Sequence, residues 1–257
     1  MSRLLTDFAI AADPSQIMAA AGLEPDQWQE KVLTDANDRH LLLCSRQSGK
    51  STTCAALAVH TALYDAPALV LLVSPSLRQS QELFRKTKEF HQGLEVTPGT
   101  DQESALRVEF NNGSRIIALP GTEATIRGYS APKLIIMDEA SRIEDSLYAA
   151  MRPMLATTRG KLIALTTPYG CRGWFYEAWT NGERWHRTRI TADMCPRIDA
   201  AWLAEERRSI GELQYRQEYM CEFVDTDEQV FSTAIIENAI KTARTSLWPS
   251  TLAGIPA

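Results

Sequence analysis

The chain has 257 residues, 44% of them apolar, and a formal charge of -5. That is enough apolar material for a full core, so a wholly disordered chain is excluded, and the acidic balance excludes a uniformly basic surface: nucleic-acid contact would need a local patch or several copies placed around the ligand. No apolar run approaches the roughly 18 residues of a membrane span, and Met1 to Asp7 lacks the apolar stretch of a signal peptide.

In chain order, residues 1–24 read as an Ala-rich N-terminal arm ending near Gly22, and Pro25-Asp26-Gln27 opens a helix through Leu33. His40 to Cys44 is a short apolar strand, Ser45 to Lys50 a polar loop, and Ser51 to Tyr64 an Ala- and Leu-rich helix. Leu69 to Val73 is a buried strand stopped by Ser74-Pro75, and Leu77 to His91 an amphipathic helix. Leu106 to Phe110 and Ser114 to Leu119 flank Asn111-Asn112-Gly113, which predicts a hairpin. Two further buried strands follow, Leu134 to Met137 running into Asp138-Glu139 and Leu162 to Leu165 into Thr166-Thr167-Pro168. Strands alternating with helices predict an α/β fold with a mainly parallel central sheet flanked by helices, its ligand at the carboxyl ends of the strands. Residues 25–168 form this core. Beyond Pro168, a strand at Trp185 to Ile190 and helices from Ala200 to Tyr219 read as a small lid or linker subdomain over 169–232, with a tail from 233 to 257.

The polar residues at the strand ends carry the chemistry. Ser45-Arg46-Gln47-Ser48-Gly49-Lys50-Ser51-Thr52 lies between a strand and a helix, where backbone N–H groups and the helix dipole hold a phosphate. Lys50 reaches the β and γ phosphates and Ser51 binds Mg²⁺; Cys44 stands where the strict fingerprint has its first Gly. The strand ending in Asp138-Glu139 delivers two carboxylates to the same edge. Asp138 suits a Mg²⁺ held through water, and Glu139 suits the base that orients and deprotonates an attacking water. Together the motifs read as a P-loop nucleotide hydrolase. Thr167 is placed to sense the γ-phosphate, although the segment equally suits an ordinary turn. Trp28 and Gln29 offer an aromatic face and an amide for adenine, or a core contact. Arg46 and Arg127 are candidates for the cation that neutralises transition-state charge, or salt-bridge residues. Five cysteines, Cys44, Cys54, Cys171, Cys195 and Cys221, show no Cys-x-x-Cys pair and no histidine at metal-ligand spacing, and read as free thiols in a reducing cytosol.

In this order the motifs resemble the large terminase subunit of tailed bacteriophages. The likeness runs from Trp28-Gln29 through the Arg46-bearing loop, Ser74 to Ser80, Arg127-Gly128, Asp138-Glu139 and Thr166-Thr167-Pro168. It continues to Gly173-Trp174-Phe175-Tyr176 and Gln217 to Phe223, so it covers about residues 25–232. The resemblance implies an ASCE, RecA-like ATPase using ATP and Mg²⁺ in the host-cell cytoplasm. Its subunits would form a ring, taken as a pentamer, on a portal, working with a small terminase subunit to move double-stranded DNA into a procapsid. It further implies that Trp28-Gln29 is the adenine motif, that Thr166-Thr167-Pro168 is the coupling motif, and that Arg46 and Arg127 are competing cis and trans arginine fingers. Family members usually continue into a nuclease domain, which this chain stops short of, so no DNA cleavage is expected from it. Two other readings remain: a helicase-like remodeller, which needs a second RecA-like domain, and a nucleotide-gated assembly module without turnover, against which Glu139 argues.

Overall fold

The computed structural model describes residues 3–94, 98–121, 126 and 128–224. Its elements are α1 (Arg3–Ala12), α2 (Gln16–Ala20), α3 (Gln27–Thr34), β1 (Arg39–Cys44), α4 (Lys50–Tyr64), β2 (Leu69–Ser74), α5 (Leu77–Gln92), β3 (Thr100–Glu103), β4 (Arg107–Phe110) and β5 (Arg115–Pro120). They continue as β6 (Leu134–Asp138), α6 (Asp145–Met151), β7 (Lys161–Thr166), α7 (Gly173–Thr180), β8 (His186–Ile190), α8 (Ala200–Ile210) and α9 (Glu212–Glu218). The expected tail over 233–257 lies outside the described residues, as does Arg127.

The strands make one sheet in the order β3-β4-β5-β2-β6-β7-β1-β8. From β5 to β8 every pairing is parallel, and β4 and β3 continue the edge antiparallel. Side chains alternate across a strand, so a strand apolar at every position must be covered on both faces. In β1, Leu42 and Cys44 join a core that includes Ile17, Trp28, Val32 and Phe84. Leu41 and Leu43 face the opposite way, into a core with Leu147, Met151, Trp174 and Phe175. Helices α2 to α5 therefore cover one face and α6 and α7 the other. Residues of the N-terminal arm share the first core, and His60 of α4 bonds the Ile10 carbonyl.

The hairpin expected around Asn111-Asn112-Gly113 forms between β4 and β5, with Gly113 at φ 81° and its N–H donating to the Phe110 carbonyl. Strand β3 extends it, although Thr-Asp-Gln-Glu is exposed throughout and has no apolar alternation by which sequence could reveal it. β8, which sequence places in an extension, is hydrogen-bonded along β1 as an edge strand of the main sheet. The helices after it, α8 and α9, have a small core of their own around Leu203, Tyr215 and Tyr219.

One feature of strand order fixes the site. β7 lies between β1, which leads into the loop ahead of α4, and β6, which ends in Asp138. All three point the same way, so the loop, the Thr pair and the carboxylates meet at one edge.

Candidate active site

The loop between β1 and α4 is anchored at its start by two backbone bonds. Ser45 N donates to the Ile190 carbonyl on β8, and Arg46 N to the Glu218 carbonyl on α9. Inside it, Ser48 Oγ donates to the Ser45 carbonyl at 2.9 Å. Gln47 and Gly49 take φ values of 59° and 91°, a turn that gathers successive N–H groups into an anion-binding concavity. At Gly49 the left-handed backbone disfavours a side chain, and a Cβ would also stand 3.0 Å from Gln29 Nε2 and 3.1 Å from Arg197 Nη2, so both side chains would have to give slightly. Helix α4 begins at Lys50, so the N–H groups of its first turn, Lys50 and Ser51 among them, lie where helices leave donors without intrahelical partners.

Opposite the loop, β6 delivers Asp138, which is almost fully buried. Burial pushes its carboxyl up to about 6; the Glu139 charge adds to the rise, and Lys50 opposes it. Glu139 then takes φ 50°, ψ 44°, a left-handed conformation that costs a residue with a Cβ about 1–3 kcal/mol and persists where the surroundings impose it. This twist breaks the strand alternation. It turns the chain into a short 3-10 segment, Ala140–Arg142, and brings Glu139 Oε1 to 3.0 Å from Lys50 Nζ. Burial works against the charge on Lys50, but Glu139 and Asp138 outweigh it and hold the ammonium above its ordinary range. The backbone N–H of Glu139 meanwhile donates to Asp138 Oδ1.

The Thr pair is wired to this turn. Ser141 Oγ lies 2.7 Å from Thr166 Oγ1 and donates to the Thr167 carbonyl at 3.0 Å. These bonds join the segment after Glu139 to the end of β7.

Between these groups opens a cleft of about 510 Å³, lined by Arg46, Gln47, Lys50, Gln79, Glu139, Arg142 and Thr167, within the range of small-ligand sites. It brings together Arg46, Gln47, Lys50, Glu139 and Thr167 of the residues expected from sequence. Ser51 and Thr52 occupy the first turn of α4, while Ser45 and Ser48 are buried inside the loop. The Arg46 guanidinium makes two bonds to Glu218, at 2.6 and 3.2 Å. Gln29 packs against Gly49, but its amide accepts from Asp26 N and donates to Thr53 Oγ1, and Trp28 is buried in the core beside it.

Four residues of the site escape the reading of the sequence. Gln79 reaches the cleft because Ser76 caps α5 and starts the helix there. Arg142 follows from the Glu139 twist and stacks over the Tyr169 ring at 4.0 Å. Glu218 grips Arg46. Arg197 makes paired hydrogen bonds to the Asp26 carboxylate and donates to the Ser48 carbonyl at 3.2 Å, bracing the phosphate loop from outside. Arg197 has no sequence signal; Gln79 and Glu218 stand in runs that resemble the terminase family. Three basic residues away from the cleft are engaged within the fold: Arg187 bonds the Ala178 and Trp179 carbonyls, Arg189 bonds the Met220 carbonyl, and Lys88 pairs with Glu103.

The donor set suits a nucleoside triphosphate with Mg²⁺. An N–H-rich turn and a charged lysine favour phosphate, and the Ser51 hydroxyl and Asp138 carboxylate are the hard oxygen ligands Mg²⁺ prefers, on elements that pack together. No described helix is long and apolar enough to cross a membrane.

The family model for terminase large subunits, T4likevirus-type, N-terminal, matches residues 41–238. The large terminase subunit of Thermus virus P23-45 is 28% identical over 251 residues, an alignment spanning 82% of this chain and 51% of that protein. The chain thus spans about half the length of the curated relatives it matches. Among solved structures, the large terminase ATPase domain of Thermus phage P74-26 superposes with a TM-score of 0.70 at 24% identity, covering 80% of this chain and 97% of that one. The large terminase of a thermophilic bacteriophage, in complex with ADP, gives 0.61 at 14% identity over 78% of this chain and 54% of that one. The chain belongs to the family of T4likevirus-type terminase large subunits, to the part described as N-terminal.

Proposed function

We propose that this chain is an ATP hydrolase and, as a subunit of a ring seated on a portal, uses turnover to move double-stranded DNA into a procapsid with the help of a small terminase subunit. The observation that carries the hydrolase reading is the meeting of Lys50 with Glu139 at 3.0 Å, with the buried Asp138 behind them, across a cleft floored by the phosphate loop. The DNA and partner readings rest on family membership.

In this reading the loop N–H groups and Lys50 hold the phosphates. A triphosphate offers Lys50 more negative charge than Glu139 alone, so the ammonium turns to it and frees the Glu139 carboxylate to take a proton from the attacking water. Ser51 and Asp138 would hold Mg²⁺, which supplies charge neutralisation on the phosphate oxygens when bound. Asp138 must be ionised for this, and the Lys50 charge opposes the burial that disfavours it. Arg46 acts in cis once released from Glu218, and Arg127 is the competing finger in trans. Gln29 and Trp28 remain the proposed adenine side, with Gln29 acting through the wall of the loop. The Ser141 bonds to Thr166 and Thr167 carry the change at Glu139 into β7, the proposed coupling strand.

The reading is tested by measuring phosphate release with ATP and Mg²⁺ alone, with duplex DNA, and with DNA plus procapsids. Hydrolysis that rises when DNA is added is expected. Absence of hydrolysis under every condition would reject it.

A further inference from the structure

At the edge of the sheet opposite the phosphate loop, three potential ligands converge. β1 and β8 run parallel with His40 beside His186, and their rings stand 4.6 Å apart. Asp35 ends α3 in an extended conformation that turns its carboxylate to the same point. His40 Nε2 lies 2.6 Å from His186 Nδ1 and 2.9 Å from Asp35 Oδ2, and His186 Nδ1 also contacts Asp35 Oδ2. The other carboxylate oxygen is already engaged, accepting from Asn37 N and Nδ2 at 2.7 Å each. That is the outer-shell bonding that orients a metal-binding carboxylate.

Every distribution of protons leaves these atoms crowded, although Asn37 Nδ2, 3.3 Å from His186 Nδ1, can donate to that nitrogen when it is unprotonated. With the hydrogen on His40 Nε2, the His186 lone pair faces the carboxylate oxygen. With it on His186 Nδ1, the His40 lone pair does so instead, and the His40 hydrogen moves to Nδ1, a buried atom with no hydrogen-bond partner. With both protonated, the two N–H groups share the single acceptor Asp35 Oδ2 with their nitrogens crowded to 2.6 Å. A cation at the centre meets all three lone pairs at once.

We propose that Asp35, His40 and His186 form a binding site for a divalent transition cation of the zinc class, which ties edge strand β8 to the strand carrying the phosphate loop. Two imidazoles and one carboxylate select Zn²⁺ or Co²⁺ over Mg²⁺, which prefers oxygen alone. In a tetrahedral site the ligand atoms stand about 3.3 Å apart, so the three groups part slightly on binding; His186, half exposed on an edge strand, has the freedom to move. Burial keeps His40 neutral, the ligating form. Burial also works against the Asp35 carboxylate, but the Asn37 bonds and the histidines hold it ionised. Lys161, which donates to the Asp35 carbonyl, brings an opposing charge, and burial lowers its pKa. Asp35 and His186 also line a cavity of about 530 Å³ with Lys31, Thr188 and Arg189, which leaves a fourth coordination position open to water.

The test titrates the tag-free full chain, freed of metal by chelation and without nucleotide, with Co²⁺. The chain has four histidines, so background binding is low. The expected result is one equivalent of Co²⁺ with a visible ligand-field band, no sulfur-to-cobalt charge transfer, and displacement by Zn²⁺ but not by excess Mg²⁺. His186→Ala, at an exposed position where folding is checked by circular dichroism, and Asp35→Asn should each weaken binding at least ~100-fold, the upper end of what loss of an outer-shell partner costs. Zn²⁺ should raise the melting temperature of the parent chain and not of His186→Ala. No Co²⁺ band, a band that His186→Ala leaves unchanged, or thiolate charge transfer would each overturn the proposal.

Discussion

The two ends of β1 make opposite kinds of site. At its carboxyl end, residues adjacent in sequence do the work: the loop supplies its own N–H groups, Lys50 follows directly, and two neighbouring acids arrive together on β6. At its amino end, Asp35, His40 and His186 come from a helix terminus and two strands, and His186 is 146 residues from its ring partner. The first site depends on backbone conformation, the left-handed Gly49 and Glu139; the second depends on strand pairing. Phosphate is recognised by N–H groups that any short turn can present, whereas a mixed nitrogen and oxygen ligand set has to be gathered by tertiary structure.

If the carboxyl edge is the hydrolytic one, the largest effect falls on Lys50→Ala. Loss of one transition-state cation costs turnover about 10²–10³-fold, and removing the positive charge that favours ionisation of Asp138 pushes that carboxyl further above its ordinary range. Steady-state phosphate release and a nucleotide-binding titration check this; near-normal turnover would break the comparison.

The next effect is pH dependence. Asp138 has a folded-state pKa near 6 against an ordinary 3.8. Because the folded value is raised, the stability this group contributes is fully present below about pH 4 and is lost as pH rises through about 6. Activity runs the other way, since the carboxylate form is the working one: kcat/KM should fall about tenfold per pH unit below 6 and level off above it. Across the window from 4 to 6 the melting temperature and kcat/KM therefore receive opposite contributions from one residue. A pH–rate profile without an acid limb near 6, or one that Asp138→Asn leaves in place, would remove Asp138 from its role.

The smallest effect belongs to the other edge. His186→Ala should leave ATP turnover in metal-free buffer within about twofold, as distant sites with no shared partner behave nearly independently. A larger loss would show that the two ends of β1 are energetically coupled.

What sequence can show divides along the same line. Lys50, Asp138 and Glu139 are legible because a buried strand followed at once by polar residues announces a strand end, and strand ends of a parallel sheet share an edge. Thr166 and Thr167 are legible for the same reason. Gln79, Arg142, Arg197 and Glu218 are not, since each reaches the loop from an element whose position depends on the finished sheet. The Arg46–Glu218 pair is an example: it exists because β8 joins the main sheet beside β1, whereas the run from Trp185 to Ile190 reads equally as part of a separate extension. Strand β3 is hidden by its wholly polar composition, and the histidine pair by sequence distance.

Glu139 is where hydrolysis at this edge can be tested most directly. Nucleotide affinity and turnover should be measured in parallel for the parent chain and Glu139→Gln, which keeps size and removes the base. Retained ATP binding with turnover reduced at least ~100-fold is the predicted result, that being the usual scale of general-base assistance. Turnover equal to that of the parent chain would contradict it, and would place the base elsewhere than on the carboxylate that meets Lys50.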